Sequence, residues 1–287
     1  MHLLHNMPIF MIAYLFFRRG NNQPEAAVLN IHSRVFHGVS QGKCMRFLLL
    51  FCMLASSSSA FADIYLDLYK KSGWPQQQEH FSSALQQAQQ RYQDTLPSAI
   101  YQTLVNNSNS RFAADAMHAR GQKALRQHLA NPAPALAFFS SSIGQKVSNA
   151  ETAATHPAQL KRYTDGMPAI QADATRRLLI RHLANALPAS QAGAEVTLAL
   201  GSVAADSLSQ MLPGVIGAEQ TNALLETQRQ RLLTEIDGNI DNTLLHVYQD
   251  LSDAELEEFV NFAQSAEGQS YYQAAFKTLQ ASLRPAQ

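Results

Sequence analysis

The chain has 287 residues, 22 basic against 22 acidic side chains, 46% hydrophobic residues and 15% charged ones. That is enough to bury a sizeable core, and the composition excludes a disordered chain. The neutral balance argues against nucleic acid as a partner, and two cysteines build neither a disulfide scaffold nor a four-ligand zinc site.

The N-terminal part carries an addressing signal. Lys43 and Arg46 flank Met45, Phe47 to Ala55 form a short apolar run, and Ala60-Phe61-Ala62 ends the pattern with small residues where signal peptidase needs them. Residues 45–62 therefore read as a signal peptide, cut between Ala62 and Asp63. Residues 1–44 read as an unstructured gene-model extension ahead of Met45. Their apolar run, Pro8 to Phe17, is too short for a membrane anchor, and its charges, Arg18 and Arg19, follow it. Cys44 and Cys52 both precede the cut, and Phe51 stands where a lipobox needs a small residue. The expected mature chain is periplasmic and cysteine-free. It has 17 basic and 21 acidic residues, about −4 in charge.

Beyond residue 62 no segment alternates β-branched and polar residues, so the spacing predicts an all-α fold, a compact multi-helix bundle. Phe81, Leu85, Ala88, Tyr92 and Leu96 mark a first helix before Pro97, with Gln86 to Gln93 as its solvated face. Phe112, Ala116, Leu125 and Leu129 mark a second, capped by Ser110. Pro168 opens a third, carrying Ile170, Ala174, Leu178, Leu183 and Leu187 up to Pro188. Val196, Leu200, Val203, Ser207 and Met211 mark a fourth, too briefly apolar to span a bilayer, with Gly201 and Ala205 predicting close packing in the core. Leu225, Leu232, Ile236, Ile240, Leu244 and Val247 mark a fifth, kinked or split at Asp237-Gly238-Asn239.

One motif recurs. Phe138-x-x-Ser141-x-x-Gly144-Gln145 returns 124 residues later as Phe262-x-x-Ser265-x-x-Gly268-Gln269. Two quasi-repeated helical halves are expected, 63–155 and 156–287. In the second copy Ser252 and Glu255 form a capping box, with Leu251 and Leu256 placed as a hydrophobic staple. Leu256, Phe259, Val260 and Ala263 share a helix face, and Ser265 caps a following helix. Gly268 falls in that helix's first turn, where its missing side chain suits two backbones meeting at an elbow. These residues are expected to be structural.

The run from Leu251 to Gln273, LSDAELEEFVNFAQSAEGQSYYQ, resembles the signature of domain of unknown function 2059, a family of bacterial secreted proteins. The family pattern is S-x-x-E-L, an aromatic, then S-P-x-G-Q. This chain has Ala266, and Ser142 in the first copy, where the family usually has proline, which predicts a less rigid elbow. The resemblance implies an exported, helical protein of the Gram-negative envelope and implies no activity.

No catalytic, cofactor-binding or metal-ligating constellation is visible. His80, His118, His128, His156, His182 and His246 are nowhere three or four apart, and no nucleophile elbow or phosphate loop is present. Glu255, Glu257, Glu258 and Glu267 suit helix N-termini better than a divalent ion. Asp173, Arg177 and Arg181 have the spacing of a solvated ion-pair face, with a ligand-binding patch including Arg176 as the lesser reading. The expected function is non-catalytic binding or scaffolding of a protein, peptide or apolar ligand, with no cofactor and no nucleic acid. The alternative is an envelope hydrolase whose site is assembled from distant residues. A pocket of convergent polar groups with shifted pKa values is the feature that discriminates the hydrolase from the non-catalytic reading. Use of an amphipathic helix on a membrane surface is the weakest reading.

Overall fold

Apolar residues three and four apart fold into helices along the computed structural model, which describes residues 63–94, 96–163, 166–211 and 218–284. Residues 1–44, expected to be an extension, and residues 45–62, expected to be a signal peptide ending at Ala62, lie outside the described residues. The described fold is all-α. Its helices are α1 (Ile64–Lys71), α2 (Trp74–Tyr92), α3 (Ser98–Arg111), α4 (Ala114–His128), α5 (Ala133–Ser140), α6 (Ser142–Thr155) and α7 (Pro157–Arg162). There follow α8 (Ala174–Ala186), α9 (Ala189–Met211), α10 (Ala218–Asp237), α11 (Ile240–Val247), α12 (Asp253–Gln264) and α13 (Ala266–Leu283). None of them is long and apolar enough to cross a membrane.

The last helix is the axis of the bundle. α13 buries Tyr271, Tyr272, Ala274, Thr278, Leu279 and Ser282, and packs on α4, α5, α9 and α12. Its most extensive partner is α4, and the reason is Gly121. A Cβ there would lie 2.6 Å from Ser282 Oγ and 3.3 Å from Tyr69 Oη, so a side chain at this position would force those hydroxyls or the helices to shift. The two expected halves are interleaved. α13 packs on α4 and α5, α12 on α6, and α9 on α3.

Several local expectations are corrected. Ser110 lies inside α3, and the turn into α4 is made by Ala113 without a side-chain cap. α2 stops at Tyr92, before Leu96 and Pro97, and Pro97 begins α3 instead. Gln89 is buried, donating from Nε2 to Ser108 Oγ at 2.6 Å and Asn109 Oδ1 at 2.9 Å, while Gln86, Gln87 and Gln90 are exposed.

Pro168 does not open a helix. The chain is non-helical until Asp173, whose carboxylate accepts from the Arg176 amide at 2.8 Å and caps α8. Pro168 and Ile170 are held by α11: Asn242 accepts from the Ile170 amide at 2.8 Å, and its own amide donates to the Pro168 carbonyl at 3.1 Å. His246 Nε2 donates to that same carbonyl at 2.7 Å. Those bonds replace the ones a helix would make.

Gly201 is exposed, with open space where a side chain would stand, so it makes no close helix contact. Ala189, Ala192, Ala194, Val196, Ala199, Leu200 and Val203 are among the residues of α9 that enter the core. The fifth helix is split at Asp237-Gly238-Asn239, as its sequence predicts, into α10 ending at Asp237 and α11 starting at Ile240.

Candidate functional site

The two motif copies form two helix elbows of the same construction. Ser141 Oγ accepts from the Gly144 amide at 3.1 Å and donates to the Phe138 carbonyl at 2.7 Å. Ser265 Oγ accepts from the Gly268 amide at 3.0 Å and donates to the Phe262 carbonyl at 2.7 Å. A Cβ on Gly144 or Gly268 would overlap the carbonyl oxygen of Phe138 or Phe262. The glutamines differ. Gln269 donates to the Ala263 carbonyl at 2.6 Å and to Ala186 of α8 at 3.0 Å, whereas Gln145 reaches only Ser140 at 3.2 Å.

The rings of the two copies meet. Phe138 stacks on Phe262, and each also touches Phe139 edge-on. The capping box is present, with Glu255 accepting from the Ser252 amide at 2.8 Å and Ser252 Oγ from the Glu255 amide at 3.3 Å. Glu255 also pairs with Lys146 on α6. Lys146 and the Ser252 bonds together hold its carboxyl down at about 2.

Immediately beyond the elbows lies a cavity of about 110 Å³, partly open to solvent. Phe139, next to Phe138, lines it, as do Tyr271 and Tyr272 just after Gln269, and the Phe139 and Tyr271 rings touch with centroids 4.9 Å apart. Trp74 and Gln77 of α2, Ala189 and Ala192 of α9, and Thr243, Leu244 and Val247 of α11 complete most of the lining.

One carboxyl enters it. Glu151 of α6 accepts a hydrogen bond at Oε1 from the Tyr248 hydroxyl at 2.8 Å, and burial pushes that carboxyl up to about 7 against the opposing pull of Tyr248. Burial likewise raises the phenols of Tyr248, Tyr271 and Tyr272, which therefore stay protonated. Tyr248 is fixed by its carbonyl, which accepts from Arg176 at 2.8 Å. Tyr272 Oη is buried without a hydrogen-bond partner.

None of these cavity groups was singled out in the sequence, yet Glu151 has a legible signature. Along α6, Ile143, Val147, Glu151 and Thr155 step by four, and the three besides Glu151 are buried apolar or hydroxyl residues. A carboxyl in that stripe points into the protein.

The other candidates have local roles. Arg176 is no ligand patch: its guanidinium bonds the Leu251 and Tyr248 carbonyls and Asp253, closing the end of α11. Arg181 pairs with Asp241. The fold does bring two histidines together, His80 and His156, with ring centroids 5.1 Å apart, and His80 Nδ1 bonds Thr155 Oγ1 at 2.9 Å. Among the described residues no group of three or more His, Cys, Asp or Glu side chains is placed to hold a metal ion.

No family model, curated protein or solved structure matches the chain.

Proposed function

We propose that this chain is an exported helical protein of the Gram-negative envelope that binds a small apolar ligand without turning it over. The leader before Asp63 and the resemblance of residues 251–273 to domain of unknown function 2059 support the location. One observation carries the binding role: the apolar cavity with the Glu151–Tyr248 pair in its wall. Ligand sites are concave and mostly apolar, with a few placed polar groups. A cavity of roughly 150 Å³ lined by aliphatic and aromatic residues accepts benzene, so a one-ring compound is the right scale here.

The test is titration of the full chain with toluene and benzyl alcohol, followed by the melting temperature. A ligand bound only by the folded state raises it by mass action. Binding of either compound, lost in Ala192→Phe, supports the cavity as the ligand site. Failure of both to bind overturns it. For export, intact mass should place Asp63 first, and retention of Phe47 to Ala55 in the mature protein overturns the leader.

The second reading, an envelope hydrolase, is favoured by Glu151 itself, since a carboxyl near 7 in a pocket suits general acid–base work. Turnover of a substrate panel, abolished in Glu151→Gln, would replace binding with catalysis.

A further inference from the structure

We propose that the ligand of this cavity is a small apolar ammonium, its cationic head set on Glu151 and its hydrocarbon against the aromatic wall; this rests on the cavity being the ligand site. The lining contains one group able to carry charge at neutral pH, the Glu151 carboxyl, and no Lys, Arg or His. An anionic ligand would meet that carboxyl with no cation to offset it. A cationic ligand would supply the missing counter-charge.

The rings suit the same head group. Trp74, Phe139, Tyr248, Tyr271, Tyr272 and Phe276 all line the cavity, and ring faces attract ammonium ions most strongly where water is excluded. Hydrogen bonding agrees as well. Glu151 Oε1 is already steered by the Tyr248 hydroxyl, and the carboxylate keeps lone pairs on its second oxygen to accept an N–H.

Such binding is proton-linked. The titratable groups facing Glu151 are Tyr248 at the end of α11 and Tyr271 and Tyr272 on α13, all protonated at neutral pH. His80 of α2 bonds Thr155, one turn beyond Glu151, and burial lowers its pKa, so it adds no positive charge there at pH 7. Glu151 must therefore lose a proton for the ammonium to bind well. Affinity should rise about tenfold per pH unit on the acid side of 7 and level off above it.

The experiment is calorimetric titration of the full chain with benzylamine and with benzyl alcohol, from pH 5 to pH 8. The expected result is benzylammonium binding at least tenfold tighter than the alcohol at pH 8, with that preference vanishing towards pH 5. Alcohol binding as tight as amine binding at pH 8 overturns the ammonium while leaving the cavity a ligand site. Binding of neither overturns the cavity reading on which it rests. Glu151→Gln should keep the alcohol and lose the preference for the amine; an unchanged preference overturns the proposal. Tyr248→Phe removes the bond that stabilises the carboxylate, so the levelling point should move to higher pH. An unmoved levelling point in a folded Tyr248→Phe protein likewise overturns it.

Discussion

Phe138 and Phe262 lie face to face, their ring centroids 3.8 Å apart and their planes 6° from parallel. Each stands three residues before the capping serine of its own elbow, so the two copies of the motif are joined at equivalent residues. The helices cross over as well, α5 packing on α13 and α6 on α12. The pair is thus a tie between the chain's two motif copies, 124 residues apart.

That tie is measurable by a double-mutant cycle. Phe138→Leu and Phe262→Leu keep most of the apolar volume and remove the ring stack. A coupling of about 1 kcal/mol is expected from urea unfolding, in line with other aromatic pairs. Strict additivity would mean that the stack contributes nothing beyond area.

The elbow glycines should reject even alanine. In an ordinary helix, replacing Gly by Ala gains about 1 kcal/mol. At Gly144 and Gly268 the new Cβ overlaps a Phe carbonyl that also accepts a serine hydroxyl, so backbone has to move. Gly144→Ala and Gly268→Ala are each expected to cost about 1–3 kcal/mol, seen as a lower melting temperature. Ser265→Ala should cost about 1 kcal/mol through loss of the cap.

Glu255 makes the protein acid-sensitive. Lys146 and Ser252 hold its folded value at about 2, below the ordinary 4.5. A lowered carboxylate contributes stability above the unfolded value and loses it as pH falls from 4.5 through 2. Lys146→Met should raise the Glu255 titration midpoint, read by NMR, and flatten the stability loss in that window. A midpoint left at about 2 would assign the effect to the capping box alone.

Glu151 acts in the opposite direction. Its folded value, about 7, lies above the ordinary 4.5, so the folded state binds the extra proton between those values. Stability is therefore highest below 4.5 and falls as pH rises through 7. Glu151→Gln keeps an acceptor for Tyr248 and removes the charge. At pH 8 it should stabilise the ligand-free chain by on the order of 3 kcal/mol, and at pH 4 by much less. Equal effects at both pH values would show that the carboxyl is solvated.

What was legible in the sequence is what neighbouring residues settle among themselves. Leu256, Phe259, Val260 and Ala263 announce a buried helix face by spacing alone, and all four are buried. Ser252 and Glu255 find each other across three residues, and so do Ser265 and Gly268, because a cap needs only one turn of chain. Local reasoning failed where a distant group outbid the local one. Pro168 had a helix to start, but Asn242 and His246 took its neighbourhood's hydrogen bonds from more than 70 residues away. Gly121, not Gly201, became the close contact because α13 arrives at α4.

The candidate site belongs wholly to tertiary structure. The sequence by itself determined the helical class, the two elbows and the stripe in which Glu151 sits. Only the packed fold decided that this carboxyl meets Tyr248, 97 residues further along, and faces a cavity between α2, α6, α9, α11 and α13. Helix spacing records which face of each segment avoids water, but every apolar face avoids it equally well. Which faces meet, and the gap they leave, follow from how the side-chain shapes of separate helices fit together.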